Sequence, residues 1–279
     1  MSIKTNELQQ LQSILGTDSL LADTAAAGTG RLTLAKAAEF FGAELIKPGN
    51  PVSTALSNKV SKTTRSDVYV AKAGSDETGD GSQAAPYLTI QRAINSIGHI
   101  IDVPTTLHID AGTYDEAVNI AYIAGCGLYI ICAQHEDGTP DVHVKSVMTY
   151  SCDSHIRISN MEVYGQSEGY SAVYSSSCIL VDLYNVVCKT KIDAEDDRGA
   201  IFALITPSVY LRNCTISNQS YAVHAVGSIV YIDNDTTGEN NTVSLWSGSG
   251  WGSAGAIIIK GGSTIAGTTE IKEYGGQIF

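Results

Sequence analysis

The sequence predicts an all-β chain folded as a right-handed parallel β-helix, with a capping helix and a small N-terminal α+β anchoring module. Two observations carry this prediction. A strand-like segment ending in asparagine recurs four times, and a second apolar segment recurs in phase with it. Self-similarity at a period of about 20–30 residues indicates a solenoid, in which each repeat buries its apolar face against its neighbours.

The first repeated segment alternates apolar and other residues before its asparagine. Its four copies end at Asn160, Asn185, Asn213 and Asn234, which are 25, 28 and 21 residues apart. Alternation with a period of two turns one side of each segment inward, as in a half-buried strand. Asparagine tolerates the left-handed backbone of a sharp corner. We therefore expect the four asparagines to stack at one structural corner, where their amides pair along the axis.

The second segment begins at Ala172, Ala200 and Ala222, and precedes the next apolar strand by nine, nine and eight residues. The gap from each asparagine to the following alanine is 12, 15 and 9 residues, so the variation in length falls at one place in each coil. Insertions confined to one place are typical of a solenoid. A leucine-rich repeat is disfavoured because its L-x-x-L-x-L framework is missing, whereas an antiparallel sandwich stays open as the weaker alternative.

Composition excludes several classes of function. The 279 residues are 43% hydrophobic and 16% charged, which is too apolar for a disordered chain, and the net charge of −12 argues against a nucleic-acid partner. We expect no signal peptide and no membrane insertion, because no window reaches the ~18 apolar residues of a span. The six cysteines form no C-x-x-C pair, so we expect reduced core residues. We predict no cofactor and no metal.

A glycine- and aspartate-rich turn over residues 76–82 leads into an amphipathic segment in which Ile90, Ala93, Ile94 and Ile97 share one helical face. With the segment Leu107–Glu116, this pattern resembles the pectate-lyase-like β-helix superfamily over about residues 67–260. The resemblance implies a helix that caps one end of the solenoid. It implies no activity, because this fold hosts lyases, hydrolases, esterases and inert spikes, and it carries no catalytic role onto Asp110 or Glu116.

The first part of the chain differs in character. A short strand at residues 18–24, a turn, a returning strand at 31–34 and a helix at 35–41 are expected there. This pattern is similar to the N-terminal attachment segments of bacteriophage tail fibres, spikes and other virion appendages. The domains predicted are an attachment module at 1–46, a linker at 47–65, the β-helix at 66–260, and a C-terminal β tail at 261–279 that contacts other subunits of a trimer.

The residues that carry candidate chemistry are few. Catalysis or metal binding has weak candidates in the longest insertion, namely Asp193, Glu195, Asp196 and Asp197, although acidic loops are more often simply solvated. Trp246 and Trp251 are weak candidates for stacking on sugar rings, with coverage of the last coil or a subunit contact as the alternative. Four strand histidines are expected to face outward or to be satisfied within the fold: His108, His143, His155 and His224. Asp182 and Asp233 are expected to face outward.

The sequence favours a virion structural protein, a tail or head fibre or spike appendage, made in the cytoplasm of the host bacterium. We expect a homotrimer that binds other virion proteins through residues 1–65 and that binds a host-surface polysaccharide or acts as a spacer. A polysaccharide depolymerase, either a lyase or a glycoside hydrolase, is the first alternative. Enzymatic activity is disfavoured because the acids cluster in a loop rather than along a strand face. A bacterial polysaccharide-binding surface solenoid is the second alternative, which the missing signal peptide disfavours.

Overall fold

The computed structural model describes residues 62–63, 65–165, 171–190, 199–248 and 255–279. These residues belong to one compact unit, Val60–Phe279. The attachment module predicted at 1–46, nearly all of the predicted linker at 47–65 and the acidic loop with Asp193, Glu195, Asp196 and Asp197 lie outside the described residues.

The described residues form twenty strands and one helix, α1 (Ile90–Ile97). The strands before residue 140 are β1 (Lys62–Thr63), β2 (Asp67–Val70), β3 (Ile100–Ile101), β4 (Thr105–Ile109), β5 (Gly112–Ala121), β6 (Ala124–Gly125) and β7 (Leu128–Cys132). Those from 140 to 220 are β8 (Val142–Tyr150), β9 (His155–Val163), β10 (Val173–Ser176), β11 (Leu180–Cys188), β12 (Ile201–Leu204), β13 (Ser208–Arg212) and β14 (Thr215–Ile216). The last are β15 (Tyr221–Val226), β16 (Ile229–Ile232), β17 (Thr237–Ser247), β18 (Ile257–Ile259), β19 (Thr264–Lys272) and β20 (Gln277–Ile278).

The strands build a parallel β-solenoid, which confirms the fold class predicted from the repeats. Its pairings fall into three main stacks. Face 1 contains β2, β4, β7, the first parts of β9 and β11, β13, β16, β18 and β20. Face 2 contains the second parts of β5 and β8, then β10, β12, β15 and the second parts of β17 and β19. Face 3 contains the first parts of β5 and β8, the second parts of β9 and β11, β14, and the first parts of β17 and β19.

The asparagines stand at the corner between face 1 and face 3. Register pairs on both sides of this corner place Asn160 opposite Asn185, and Asn185 opposite Asn213. These three have φ values of 62°, 52° and 51°, the left-handed conformation that asparagine tolerates better than most residues. Asn234 follows in the same register but has no positive φ, and its side-chain oxygen accepts the Gly262 N–H at 2.6 Å.

A second left-handed corner lies between face 2 and face 1, and the repeated motifs do not predict it. Its positions are Tyr122, Ser151, Ser177 and Ile205, with φ values between 48° and 59°, followed by Gly227 at 58°. Their backbone N–H groups donate to the next coil, for example from Ser177 to the carbonyl of Leu204 at 3.1 Å. The varied residue types explain why no motif marks this corner.

Helix α1 packs against β2 and β5 through Ile90, Ala93, Ile94 and Ile97, all of which are buried, as the apolar stripe predicts. The Thr89 side chain caps its first turn by accepting the Arg92 N–H at 3.2 Å. The preceding turn is closed by Asp76, whose carboxylate accepts the N–H groups of Leu88 and Thr89 and the Thr89 hydroxyl. The glycine- and aspartate-rich motif therefore positions this helix.

The C-terminal segment differs from the predicted division of the chain at residue 260. Strand β19 pairs with β17, and β20 pairs with β18, so residues 264–278 form one more coil of the same solenoid. The short strands of the tail pair with strands of the same chain. The backbone N–H and C=O groups along these edges are therefore hydrogen-bonded without a second subunit. Tyr274 and Phe279 remain 55% and 66% exposed.

The interior of the coils is apolar, dominated by valine, isoleucine and leucine, with five of the six cysteines buried and all six free. Burial raises the pKa of the Cys132 and Cys188 thiols, so both stay protonated in the folded chain. Among the described residues, no helix has the length and hydrophobicity needed to cross a membrane.

Candidate functional site

The outward side of face 1 carries two parallel rows of polar and aromatic side chains. Strand register aligns the first row as Thr106, Tyr129, Arg157, Asp182, Tyr210 and Tyr231. It aligns the second row as His108, Ile131, Ser159, Tyr184 and Arg212. Because stacked strands lie about 4.8 Å apart, each row is a regular ladder along the solenoid axis.

Between the two rows lies a shallow groove of about 310 Å³. Its lining comes from β4, β7, β9 and β11, and consists of Thr106, Tyr129, Ile131, Arg157, Ser159, Asn160 and Tyr184. The rings of Tyr129 and Tyr184 and the side chain of Ile131 supply apolar surface, and Arg157 supplies a cation. Tyr184 and Ile131 are 38% and 43% exposed. Exposed aromatic surface beside a fixed cation is typical of a ligand-binding surface.

Asp182 lies beside this groove with only 3% of its side chain exposed. Arg212, one coil further on, contacts both carboxylate oxygens: its Nε donates to Oδ1 at 3.0 Å, and its Nη2 donates to Oδ2. The hydrogen bond to Asp182 raises the pKa of Arg212 further above its ordinary value. Arg212 thus balances the charge of the buried carboxylate with a two-point contact.

Arg157 is held differently. Its Nε donates to the Ser159 hydroxyl at 3.3 Å and lies 3.7 Å from Oδ2 of Asp182. Its guanidinium lies over the Tyr184 ring, 5.3 Å from the ring centre, which is a cation–π contact. No acceptor among the described residues contacts its two terminal amino groups. Arg157 therefore lines the groove with two terminal amino groups, which carry four N–H donors.

The four strand histidines are placed in three different ways. Two face carboxylates outside the coil: His108 lies 2.9 Å from Asp67, and His143 lies 3.1 Å from Glu162. His155 Nε2 lies 3.7 Å from Asp182 Oδ2 and has no hydrogen-bond partner among the described residues. His224 is buried, with its Nε2 2.9 Å from the Gly248 carbonyl oxygen.

Trp246 does not present the exposed ring that the sugar-stacking interpretation expects. It is 6% exposed and stacks on His224 at 4.2 Å between ring centres, within a row on the outward side of face 2 that includes Phe202 and Tyr174. The sequence could not show this, because the row is assembled from coils 22 to 28 residues apart. Trp251 lies outside the described residues, and its sugar-binding role stays a prediction.

The two aspartates predicted to face outward have structural partners. Asp182 carries the Arg212 contact, and Asp233 accepts the Asn213 N–H at 3.1 and 3.2 Å and the Thr236 hydroxyl at 2.7 Å. Within the ranges that the structure describes, no group of three or more histidine, cysteine, aspartate or glutamate side chains is placed to hold a metal ion.

Sequence reasoning missed Tyr129, Arg157 and Tyr184 as a group. The signal was present, because Arg157 and Tyr184 occupy outward positions in the repeated segments that end at Asn160 and Asn185. Aligning the segments on their asparagines places Tyr184 one coil after Ser159, beside Arg157.

The chain matches no protein-family model, no curated protein and no solved structure.

Proposed function

We propose that this chain is a virion appendage protein whose β-solenoid binds an acidic glycan of the host surface through the face 1 groove. The observation that carries the glycan part is Arg157, whose guanidinium lies over the Tyr184 ring with both terminal amino groups free of described acceptors. A planar guanidinium suits bidentate recognition of a carboxylate, and a neighbouring aromatic ring suits the C–H face of a sugar.

The charges around the groove favour an acidic ligand in spite of the net charge of −12. Because Arg212 balances the buried carboxylate of Asp182, the charge of Arg157 remains for a ligand. Distant surface carboxylates are screened beyond a Debye length of about 8 Å at physiological salt, whereas a carboxylate in contact with Arg157 is not. The positive charge of Arg157 at the groove therefore matters more for binding than the net negative charge of the chain.

The first outward row gives the site an extended form. Beyond Asp182 it continues with Tyr210 and Tyr231, whose rings stack at 4.7 Å between centres. A chain of sugars laid along the solenoid axis would pass from Tyr129 and Arg157 to this pair. Such a track suits an extended polysaccharide better than a single small molecule.

Binding without cleavage is part of the proposal. Asp182, a described carboxylate beside the groove, is held at both oxygens by Arg212, which disfavours a role in proton transfer. The virion role rests on the resemblance of residues 20–41 to phage attachment segments, and the three-fold symmetry of the homotrimer is what the likeness to phage spikes implies. A mass near the 29.4 kDa of one chain in light scattering at micromolar concentration would overturn the trimer.

Affinity electrophoresis through gels containing a polyuronate such as alginate, or a neutral dextran, tests the glycan part. We expect the full chain to be retarded by the polyuronate and much less by dextran, with retardation lost in Arg157→Gln and Tyr184→Ala. The matched control is Arg92→Gln, because Arg92 stacks on Tyr87 and does not line the groove. Equal retardation of Arg157→Gln and the unmodified chain would refute the groove as the binding site.

Two further measurements test the remaining parts. Release of reducing ends or unsaturated sugars from host polysaccharide, abolished by Asp196→Ala or Asp197→Ala, would replace the binding function by a depolymerase. Genes for capsid, baseplate or tail proteins on either side of the coding gene are expected. A neighbourhood of cell-wall or metabolic genes would contradict the virion role.

A further inference from the structure

A second concave site lies between helix α1 and strand β5. It has a volume of about 270 Å³ and shares no lining residue with the face 1 groove. Amide side chains from Gln91, Asn95 and Asn119 contribute its polar lining, and Ile94 and Ile123 contribute buried apolar surface. This volume is close to the lower end of the ~300–1,000 Å³ range of small-molecule pockets, which suits a single ring rather than a polymer.

The amides of this pocket are ordered by one side chain. Gln91 donates to the Asn95 side-chain oxygen and to the Asn119 carbonyl, both at 3.0 Å, and its own oxygen accepts the Asn119 N–H at 2.7 Å. These bonds fix Gln91 and orient Asn95. The side-chain amino group of Asn95 and the whole side-chain amide of Asn119 have no partner among the described residues. They remain as donors and an acceptor for a ligand.

An aromatic residue lies between two of the residues that line the pocket. Tyr122 follows Ala121 and precedes Ile123, both of which line the pocket, and it is 59% exposed. Its φ of 59° is costly for a bulky residue, and the next two coils have serine, Ser151 and Ser177, at the equivalent corner position. Its ring meets Tyr150 edge-on at 5.7 Å and His99 at 6.4 Å between centres. Tyr122 therefore places an exposed ring next to His99, which lines the pocket.

The electrostatics of the pocket differ from those of the groove. No lysine, arginine, aspartate or glutamate lines it. Asn95, Gly98 and His99 place it at the C-terminal end of α1, where the aligned peptide dipoles give a partial negative charge. His99 is the one ionisable side chain in the lining, and a neutral ligand rich in hydroxyl groups fits the amides.

We propose that this pocket binds one neutral sugar ring, with Asn95 and Asn119 bonded to its hydroxyl groups and Tyr122 stacked on its C–H face. Side-chain amides pair with neighbouring hydroxyls as donor and acceptor at once, and a tyrosine ring covers the apolar face of a pyranose. The site is separate from the groove and needs no acidic group on the ligand. The chain then has two sugar sites, one for an acidic ligand and one for a neutral ligand.

Saturation-transfer difference NMR on the full chain with methyl glycosides of glucose, galactose and mannose, one at a time, tests this proposal. We expect at least one of them to bind with a Kd on the order of 1–10 mM. Tyr122→Gly and Asn95→Ala are expected to weaken that binding by about 3- to 10-fold. Because glycine accepts a positive φ, Tyr122→Gly removes the ring without adding strain, so loss of binding is not loss of folding.

Ile205→Gly is the matched control, because Ile205 occupies the same corner two coils beyond Ser151, has a φ of 49° and is also 59% exposed. It is expected to bind the glycoside as the unmodified chain does. Saturation transfer from none of the three glycosides at about 50 mM, well above the expected Kd, would overturn the inference. So would binding that survives both pocket variants. Binding lost only in Tyr184→Ala would place the neutral sugar in the groove, and would leave the proposed function standing while this inference falls.

Discussion

The side-chain amide of Asn185 donates a hydrogen bond of 3.1 Å to the side-chain oxygen of Asn160 on the preceding coil. The same amide also donates to the Gly138 carbonyl at 2.7 Å. Asn160 in turn donates to the Cys132 carbonyl at 3.2 Å. The corner between faces 1 and 3 thus combines a left-handed backbone with a chain of amide hydrogen bonds. Asn213, in the next register position, is exposed and its side chain has no bond among the described residues.

Replacing Asn185 and Asn213 by alanine, one at a time, is expected to separate the contribution of the amide hydrogen bonds from that of the left-handed backbone. Asn185→Ala loses the amide bonds and retains a positive φ, so we expect a loss of about 1–3 kcal/mol in the free energy of unfolding. Asn213→Ala loses only the tolerance of the left-handed conformation, and about 1 kcal/mol or less is expected. Urea denaturation followed by circular dichroism measures both. Equal losses at the two positions would contradict the amide ladder.

The carboxylate of Glu116 accepts the backbone N–H groups of Ile90 at 3.0 Å and Gln91 at 2.9 Å. These are two of the first-turn donors of α1 that have no partner within a helix, and a negative charge at a helix N-terminus is stabilising. The segment Leu107–Glu116, through its last residue, therefore fixes α1. Glu116→Ala is expected to lower the free energy of unfolding by about 1–2 kcal/mol, with faster hydrogen exchange in α1. Exposed Glu136→Ala is the control, and equal exchange rates in both variants would refute the role.

Asp76 makes this end of the solenoid sensitive to acid. Burial alone would raise the pKa of its carboxyl, but hydrogen bonds from the Thr89 hydroxyl and from the N–H groups of Thr89 and Leu88 outweigh it and leave the pKa below its ordinary value. A carboxyl with a lowered folded pKa contributes stability above its unfolded pKa of about 3.9, and this contribution is lost as the pH falls through the folded value. We expect α1 to lose exchange protection below about pH 4. In Asp76→Asn, the exchange protection of α1 is expected to change less between pH 6 and 3 than in the unmodified chain. The same pH dependence in both proteins would contradict this assignment.

The fold could be predicted from the sequence because the repeat involves inward residues. Val181, Leu183 and their equivalents must be apolar in every coil, so the pattern survives changes in coil length. The corner through Tyr122, Ser151, Ser177 and Ile205 left no such trace, because a left-handed backbone accepts different residues when neighbouring strands hold it in place. The tail was assigned to subunit contacts because no amphipathic helix follows Ile259 to cap that end of the solenoid, and its β-prone pieces are too short to form an independent sheet.

The candidate site was harder to predict for a different reason. Outward residues are not constrained by the core, and their neighbours are set by register rather than by the sequence around them. Arg157 meets Tyr184 across 27 residues, and Trp246 meets His224 across 22. The indole of Trp246 therefore appeared to belong to an exposed Gly/Ser loop, although it is 6% exposed and stacks on His224. Once the asparagine register is imposed on face 1, Arg157, Tyr184 and Asp182 come together.

The Asp182–Arg212 pair is expected to control the groove through Arg157. In Arg212→Met the buried carboxylate of Asp182 loses its two-point partner, and about 2–4 kcal/mol of stability should be lost, less than for a fully buried pair because Arg212 is 43% exposed. The remaining arginine beside Asp182 is Arg157, whose Nε lies 3.7 Å from Oδ2 in the unmodified chain, so its terminal amino groups should turn toward Asp182.

Retention by polyuronate should therefore fall in Arg212→Met although Arg212 does not line the groove. The double variant Asp182→Asn/Arg212→Met removes the buried charge that attracts Arg157. We expect it to regain most of the lost stability, with a coupling of about 1–3 kcal/mol in the double-mutant cycle, and to regain retention by polyuronate. Denaturation measures the stability, and affinity electrophoresis measures the retention, of the unmodified chain, Asp182→Asn, Arg212→Met and the double variant. If stability returns in the double variant while retention does not, Arg212 contributes to ligand binding directly, and the separation of roles between the two arginines is wrong.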